Sequence, residues 1–325
     1  MNRPDNDTII EQYLNHYSYS KQSLNMRKIS LNYFFKEKII DKTDYTINDD
    51  KKKIYKEMAG FHFTGHIFDI KTNTLIEYFE YLNKLKNVCL TTKKNKWAIL
   101  ISFLNFSLEY YRDFNFIVVI PKKTIMWQKN HKKAESNRLV LASIEEIKNI
   151  LDYLREENFS YYCLFRLLIE TGMRLGEFLS IQINDLNVDK RIVNCRGKTG
   201  EKTYYFSERL AKELSLYLNG RSKLQSKLTL LFLTSQLKPF SNRLIQKILE
   251  RIRSKGKISN WITPHTFRRT LNTLRKRNMK CDNETAKILL GHKSNDVNID
   301  DYTIYDYADK LALFDKYNPY LNISQ

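Results

Sequence analysis

The sequence predicts a mainly helical protein of two domains, with a small β-sheet in the second. Three observations predict it. The 325 residues are enough for about two domains at ~100–200 residues each. Apolar residues recur at helical spacing along most of the chain. One stretch, IVNCRGKTGEKTYYFS at 192–207, alternates instead around a turn, as two paired strands do. With 42% hydrophobic residues against 9 Gly and 5 Pro, the composition is that of a folded chain with few breakers.

Within residues 8–36, Ile9, Ile10, Tyr13, Leu14 and Tyr17, then Leu24, Ile29, Leu31, Tyr33 and Phe34, predict two helices separated near 18–23. A connector rich in Lys and Asp covers 42–53. Further helices are expected at 72–85 and 91–111, the second from Trp97, Leu100, Ile101, Leu104 and Leu108. Residues 1–120 therefore read as a helical domain. Residues 121–138 hold six Lys or Arg against one Glu with little periodicity, so they read as a basic linker. That linker is either a solvated tether or a segment laid along phosphates.

The second domain, 139–325, opens with Ser143 as an N-cap and Glu145 and Glu146 in the first turn, ahead of Ile147, Ile150, Leu151 and Leu154. The helical pattern continues through 161–170, stops at Thr171 and Gly172, and restarts in MRLGEFLSI. After the hairpin, helices are expected at 208–218, 241–254, 264–277 and 282–290. An amphipathic tail at 308–317 carries Leu311, Phe314 and Tyr317 as a stripe.

Charge narrows the partners. The balance of 55 basic and 36 acidic side chains is +19, which favours polyanions such as nucleic acid. The longest apolar stretches, 116–120 and 228–233, fall far short of the ~20 residues a bilayer span needs, so no membrane role is expected. Residues 1–7 are polar and carry two acids, unlike a secretory leader, so the expected address is cytoplasmic. Cys89, Cys163, Cys195 and Cys281 form no CxxC pair and read as reduced, buried packing residues.

Several chemistries lack a signature. There is no GxxxxGK(S/T) loop, GxGxxG, HExxH or paired Cys/His spacing. His62 and His66 are four apart, but Gly65 and aromatic neighbours favour a loop or core role over a metal pair. Acids near the basic motifs are too dispersed for a metal-dependent nuclease, so no cofactor or metal is expected. The acidic run Asp296, Asp300, Asp301 and Asp306 reads as a solvated face.

Four basic segments remain: TGMRLGE at 171–177, GKTGEK at 197–202, PHTFRRT at 264–270 and LLGHKS at 289–294, followed by NDVNIDDYTIYDY. Arginine's planar fork can hold two non-bridging phosphate oxygens at full charge, a task that suits Arg174 and Arg268. Glu177, three residues beyond Arg174, can pair with a neighbouring base and orient it. His265 and Arg268 are three apart on a helix begun by Pro264, so they share a face. Lys198 sits at the hairpin tip, where an ammonium could protonate a leaving 5′ oxygen; Lys202 is its rival. His292 follows Gly291 at a helix end. A phenol of pKa ~10 attacks at neutral pH only beside positive charge or a base, and Tyr302, Tyr305 and Tyr307 all follow this basic set.

In order and spacing these segments resemble the tyrosine recombinase (phage integrase) family: an arginine in a GxRxxE turn, a hairpin lysine, HxxR, GH, then a tyrosine some ten residues on. The likeness is strong from Leu139 onward and weak over 8–115, which is similar to the helical, SAM-like core-binding domain of these enzymes. The resemblance implies a mixed α/β catalytic domain behind that DNA-binding domain. It implies site-specific recombination of duplex DNA through a 3′-phosphotyrosyl link, without metal or ATP. Arg174 and Arg268 would neutralise the phosphate, His265 and His292 handle protons, Lys198 assist the leaving oxygen and Tyr302 attack. Tyr302 is ten residues beyond His292, whereas Tyr305 is thirteen and stays open as the alternative nucleophile. Four protomers would assemble on two DNA sites, with the tail packing on a neighbour, in tasks such as integration of a mobile element. A type IB topoisomerase, or a DNA-binding accessory protein that no longer cleaves, are the rival readings.

Overall fold

The computed structural model describes residues 3–16, 20–35, 61–86, 88–121, 140–197, 200–224, 226–291 and 306–321. The chain divides into two compact units, residues 1–133 and 134–325. The first contains α1 (Asn6–His16), α2 (Lys21–Phe34), α3 (Thr72–Lys84) and α4 (Leu90–Tyr110). Ser20 caps α2, its hydroxyl accepting from the Ser23 amide at 3.3 Å. The long α4 supplies Trp97, Leu100, Phe103 and Leu104 to a core shared with Tyr13, Leu31, Phe34, Leu75 and Tyr78.

Histidines and cysteines in this unit have local roles. His66 caps a short 3-10 turn through Nδ1, 3.2 Å from the Phe68 amide, while Nε2 lies 2.8 Å from the Pro4 carbonyl. Both ring nitrogens are engaged with backbone, which leaves His66 no lone pair for a metal. Cys89 corrects the expectation of buried cysteines: it is exposed as the N-cap of α4, whereas Cys163, Cys195 and Cys281 are buried.

The second unit holds α5 (Ile144–Glu157), α6 (Phe159–Thr171), the one-turn α7 (Leu175–Phe178), and strands β1 (Leu186–Asn187), β2 (Ile192–Gly197) and β3 (Gly200–Tyr205). It continues with α8 (Glu208–Ser222), α9 (Asn242–Ser254), α10 (Pro264–Arg277), α11 (Asn283–Leu289) and α12 (Tyr307–Lys316). Ser143 and Glu146 close a capping box on α5. The expected continuous pattern into 161–170 breaks at Asn158, whose extended backbone ends α5 while its side chain accepts from the Tyr161 amide at 3.0 Å to start α6.

Helix α6 is the centre of this unit. Its residues from Tyr162 to Thr171 are buried on every side, as a helix surrounded by others must be. Two of them are charged: Arg166 Nε bonds Glu170 Oε1 at 2.6 Å, and Glu170 also accepts from the Ser207 amide at 2.9 Å and hydroxyl at 3.0 Å. That carboxylate anchors the chain where β3 passes into α8. The antiparallel sheet runs β1-β2-β3. Its edge strand β1 pairs Leu186 with Val193 and Asn187 with Ile192, and two residues are too few to show the alternation by which a strand is read from sequence.

The tail helix α12 packs on its own unit. Phe314 is buried with Tyr205 and Leu289, flanked by Ile192, Leu311 and Tyr317, and Arg191 forms a two-pronged ion pair with Asp315. The apolar stripe expected to meet a neighbouring subunit thus covers strands β2 and β3 and helix α11 of the same chain. Asp306, read as part of a solvated acidic face, is the N-cap of α12 in a capping box with Asp309.

Candidate active site

Two turns and one strand face build the site. Helix α6 ends at Gly172, whose φ of +61° suits glycine. A Cβ there would also lie 2.8 Å from Leu271 Cδ2, so α6 and α10 pass too closely for a side chain. Met173 is buried, and Arg174 becomes the N-cap of α7 with its side chain 51% exposed. One turn later Glu177 points back to the hairpin.

Strand alternation does the rest. Val193 and Cys195 on β2 pair with Tyr204 and Lys202 on β3, so Lys202 and Tyr204 project from one face, two residues apart. Both reach Glu177: Lys202 Nζ is 2.5 Å from Oε1, and the Tyr204 hydroxyl donates to Oε2 at 3.2 Å. Arg174 Nη1 approaches the same Oε1 at 3.5 Å. Burial pushes the Glu177 carboxyl up, but the Lys202 ammonium, the Arg174 charge and the Tyr204 hydroxyl outweigh it and hold the group below the usual carboxylate range. A Cβ on Gly197 would sit 2.6 Å from Glu177 Oε1 and 2.7 Å from Lys202 Nζ, so the hairpin backbone passes close over this pair and a larger residue there would displace it.

Helix α10 brings the second group. Thr263 caps it in a box with Thr266, and Pro264 occupies its first turn, which leaves His265 exposed and Arg268 one turn inward. Arg268 is buried and donates from Nη1 to the Gly172 carbonyl at 2.6 Å and from Nη2 to the Leu290 carbonyl at 3.2 Å. It therefore ties the arginine turn to the segment that enters the GH motif. Burial lowers its pKa, Tyr204 raises it through charge and a hydrogen bond, and Arg174 lowers it. The His265 imidazole is held below its ordinary value by burial and by the charges of Arg269, Arg268 and Arg174.

Arg174, His265 and Arg268 thus converge, each within the field of the others. Gly291, φ +63°, completes the contact, since a Cβ there would lie 2.9 Å from Tyr204 Cζ. Tyr204 stands at the junction of all three motifs, a position no sequence signal marks beyond its inward place in the strand. Lys198, His292, Tyr302 and Tyr305 lie outside the described residues. Tyr307 is described: its hydroxyl donates to the Lys190 carbonyl and its ring lies 6.3 Å from that of Tyr205, a packing role.

The model of the phage integrase family matches residues 142–308, just over half the chain. The chain belongs to the phage integrase family. Tyrosine recombinase XerC of Caldanaerobacter subterraneus subsp. tengcongensis is 26% identical over 258 residues, covering 78% of this chain and 69% of the relative. XerC of Listeria innocua is 27% identical across 70% of this chain and 77% of its own length. XerC of Bacillus subtilis is 31% identical over 54% of this chain and 58% of its own. Among solved structures, XerH recombinase bound to palindromic difH substrate matches with a TM-score of 0.60 at 20% identity, over 88% of this recombinase and 77% of that chain. A λ integrase tetramer bound to a Holliday junction matches at 0.57 and 14% identity, over 94% and 80%. Both likenesses are of fold.

Proposed function

We propose that this recombinase cuts and rejoins duplex DNA at specific sites through a 3′-phosphotyrosyl intermediate. The observation that carries the reading is the convergence of Arg174, His265 and Arg268 beside the Glu177–Lys202 pair. A phosphate in transfer spreads negative charge over its non-bridging oxygens, and cations fixed before the substrate arrives stabilise that charge without reorganising. Tyr302 attacks the phosphorus and gives up its phenolic proton to the His265 or His292 imidazole, while the P–O bond to the 5′ oxygen breaks and that oxygen leaves with a proton from Lys198. A second 5′-hydroxyl then reverses the step on a partner strand. One phosphodiester is exchanged for another, so the cycle needs no external free energy from ATP.

The engagement of Lys202 with Glu177 supports Lys198 as the proton donor, because an ammonium already in a buried ion pair is poorly placed to follow a leaving group. On the same reading residues 1–120 bind DNA, 121–138 form a basic link and 139–325 catalyse, inside the cytoplasm. Four copies assemble on two sites, and α12 exchanges from its own unit onto a neighbour. The likeness to XerH bound to difH substrate and to a λ integrase tetramer bound to a Holliday junction supports DNA as the partner and the assembly of four copies.

The test is covalent trapping. A nicked duplex, selected by binding from a randomised pool, is incubated with the protein in chelator and without nucleotide. A protein–DNA adduct with a free 5′-hydroxyl supports the reading and sequencing the trapped DNA defines the site. Specific binding without an adduct would instead make the chain a DNA-binding accessory protein.

A further inference from the structure

Helix α10 presents a second buried guanidinium, two turns beyond Arg268. Arg275 is fully buried, and among the described residues no carboxylate stands within ion-pair distance. Its Nε donates to the Tyr317 carbonyl at 3.2 Å and Nη1 to the Leu289 carbonyl at 3.5 Å; Nη2 has no partner among the described residues. Phe314 lies beneath it, 6.0 Å from the guanidinium carbon to the ring centre. Burial lowers its pKa to about 10, so the side chain stays charged at neutral pH.

The two carbonyls are not arbitrary. Leu289 ends α11, and Tyr317 is the C-cap of α12, so the guanidinium sits where the negative ends of two helices meet. Arg268 holds the very next carbonyl, Leu290, so two arginines seven apart on α10 grip consecutive peptide groups ahead of Gly291 and His292. In sequence, 292–305, which carries His292, Tyr302 and Tyr305, joins the 289–291 turn to the N-terminal end of α12, and Tyr317 caps the opposite end of that helix.

Among the described residues this buried cation meets only neutral carbonyls and a ring, and an apolar side chain of similar size is often neutral or stabilising at such a place. What the side chain does at this place is join two segments, the end of α11 and the end of α12. We infer that Arg275 is a positioning residue that couples the 289–291 turn, which leads into His292, to the C-terminal end of the α12 helix docked beside it, so that the turn and the tail helix are held as one unit. The inference rests on the proposed reaction for its kinetic consequence, and on geometry alone for the coupling.

The experiment uses the full chain with Arg275→Met and Arg275→Lys. Arg275→Met should melt at or above the wild-type temperature and bind DNA within twofold of wild type. Its single-turnover rate of adduct formation at saturating DNA should fall at least tenfold, with Arg275→Lys intermediate. An adduct rate within twofold of wild type, or a melting temperature that drops together with binding, overturns the proposal. Hydrogen exchange of Arg275→Lys without DNA should quicken at 289–291 and at 307–317 together; a change confined to one segment overturns it, even if Arg275→Met fails to fold. If the wild type forms no adduct, the proposed reaction fails while the exchange result still decides the coupling.

Discussion

Lys202 and Glu177 form a 2.5 Å ion pair beneath the inward face of the hairpin, with the lysine side chain 5% and the carboxylate side chain 12% exposed. A pair this shielded is expensive to break from one side, because the remaining charge stays buried. Lys202→Met should therefore cost about 3 kcal/mol in denaturant unfolding. Lys198→Ala should leave unfolding unchanged and slow cleavage instead. A substrate with sulfur in place of the leaving 5′ oxygen departs without protonation, so it should restore the Lys198→Ala rate. Rescue of Lys202→Met by that substrate would exchange the two roles.

The Tyr204 hydroxyl links Glu177 with Arg268, and Gly291 passes close over its ring. Tyr204→Phe should lose about 1–2 kcal/mol of stability, as expected when a buried hydrogen bond loses its donor. It should also slow adduct formation while DNA binding is kept. Gly291→Ala meets both a positive φ and the ring, so a loss of about 1–3 kcal/mol is expected in the same unfolding measurement.

His265 gives the site a pH dependence of defined sign. Burial and the Arg269, Arg268 and Arg174 charges depress its pKa in the free protein, and an arriving phosphate raises it. Binding therefore takes up a proton, and affinity increases as pH falls through the window at and below about 6.5, by at most about tenfold per pH unit. Without DNA the sign for folding is opposite: the unfolded chain protonates first, so this histidine's contribution is lost as pH falls from its ordinary value toward its depressed one. Fluorescence anisotropy at fixed ionic strength should show the affinity slope in the wild type and its absence in His265→Gln.

How much of this was legible in the sequence depends on how local each cause is. The boundaries of α10 are those expected, because Pro264 and its periodicity are written in adjacent residues, and the His265–Arg268 face follows from helical spacing alone. The break at Asn158 follows the polar run Arg155, Glu156 and Glu157, and Asn158 is itself a favoured N-cap residue, so that signal is local, whereas β1 is too short to alternate. Lys202 and Glu177 are 25 residues apart, and strand alternation places Lys202 on the inward face without naming what it meets. Tyr204 reads as a core aromatic until Glu177 is seen opposite its hydroxyl. The direction in which the tail stripe packs belongs to tertiary structure: a stripe says that something covers it, and here β2, β3 and α11 do.

The tail should matter to assembly as well as to stability. Phe314 is buried against Tyr205 and Leu289, so Phe314→Ala should cost about 3–5 kcal/mol if the site cannot collapse. If α12 exchanges between protomers on DNA, the milder Leu311→Ala should weaken four-protomer complexes in sedimentation while single-site binding is retained. Equal loss at both levels would confine the tail to its own unit.

The most direct measurement is the identity of the residue that carries the DNA. The trapped adduct is digested with protease and nuclease and its nucleotide-bearing peptide sequenced by mass spectrometry, for the wild type and Tyr302→Phe. The account predicts a nucleotide on Tyr302 and no adduct in the variant. A nucleotide on Tyr305 or elsewhere, or an undiminished adduct in Tyr302→Phe, contradicts it.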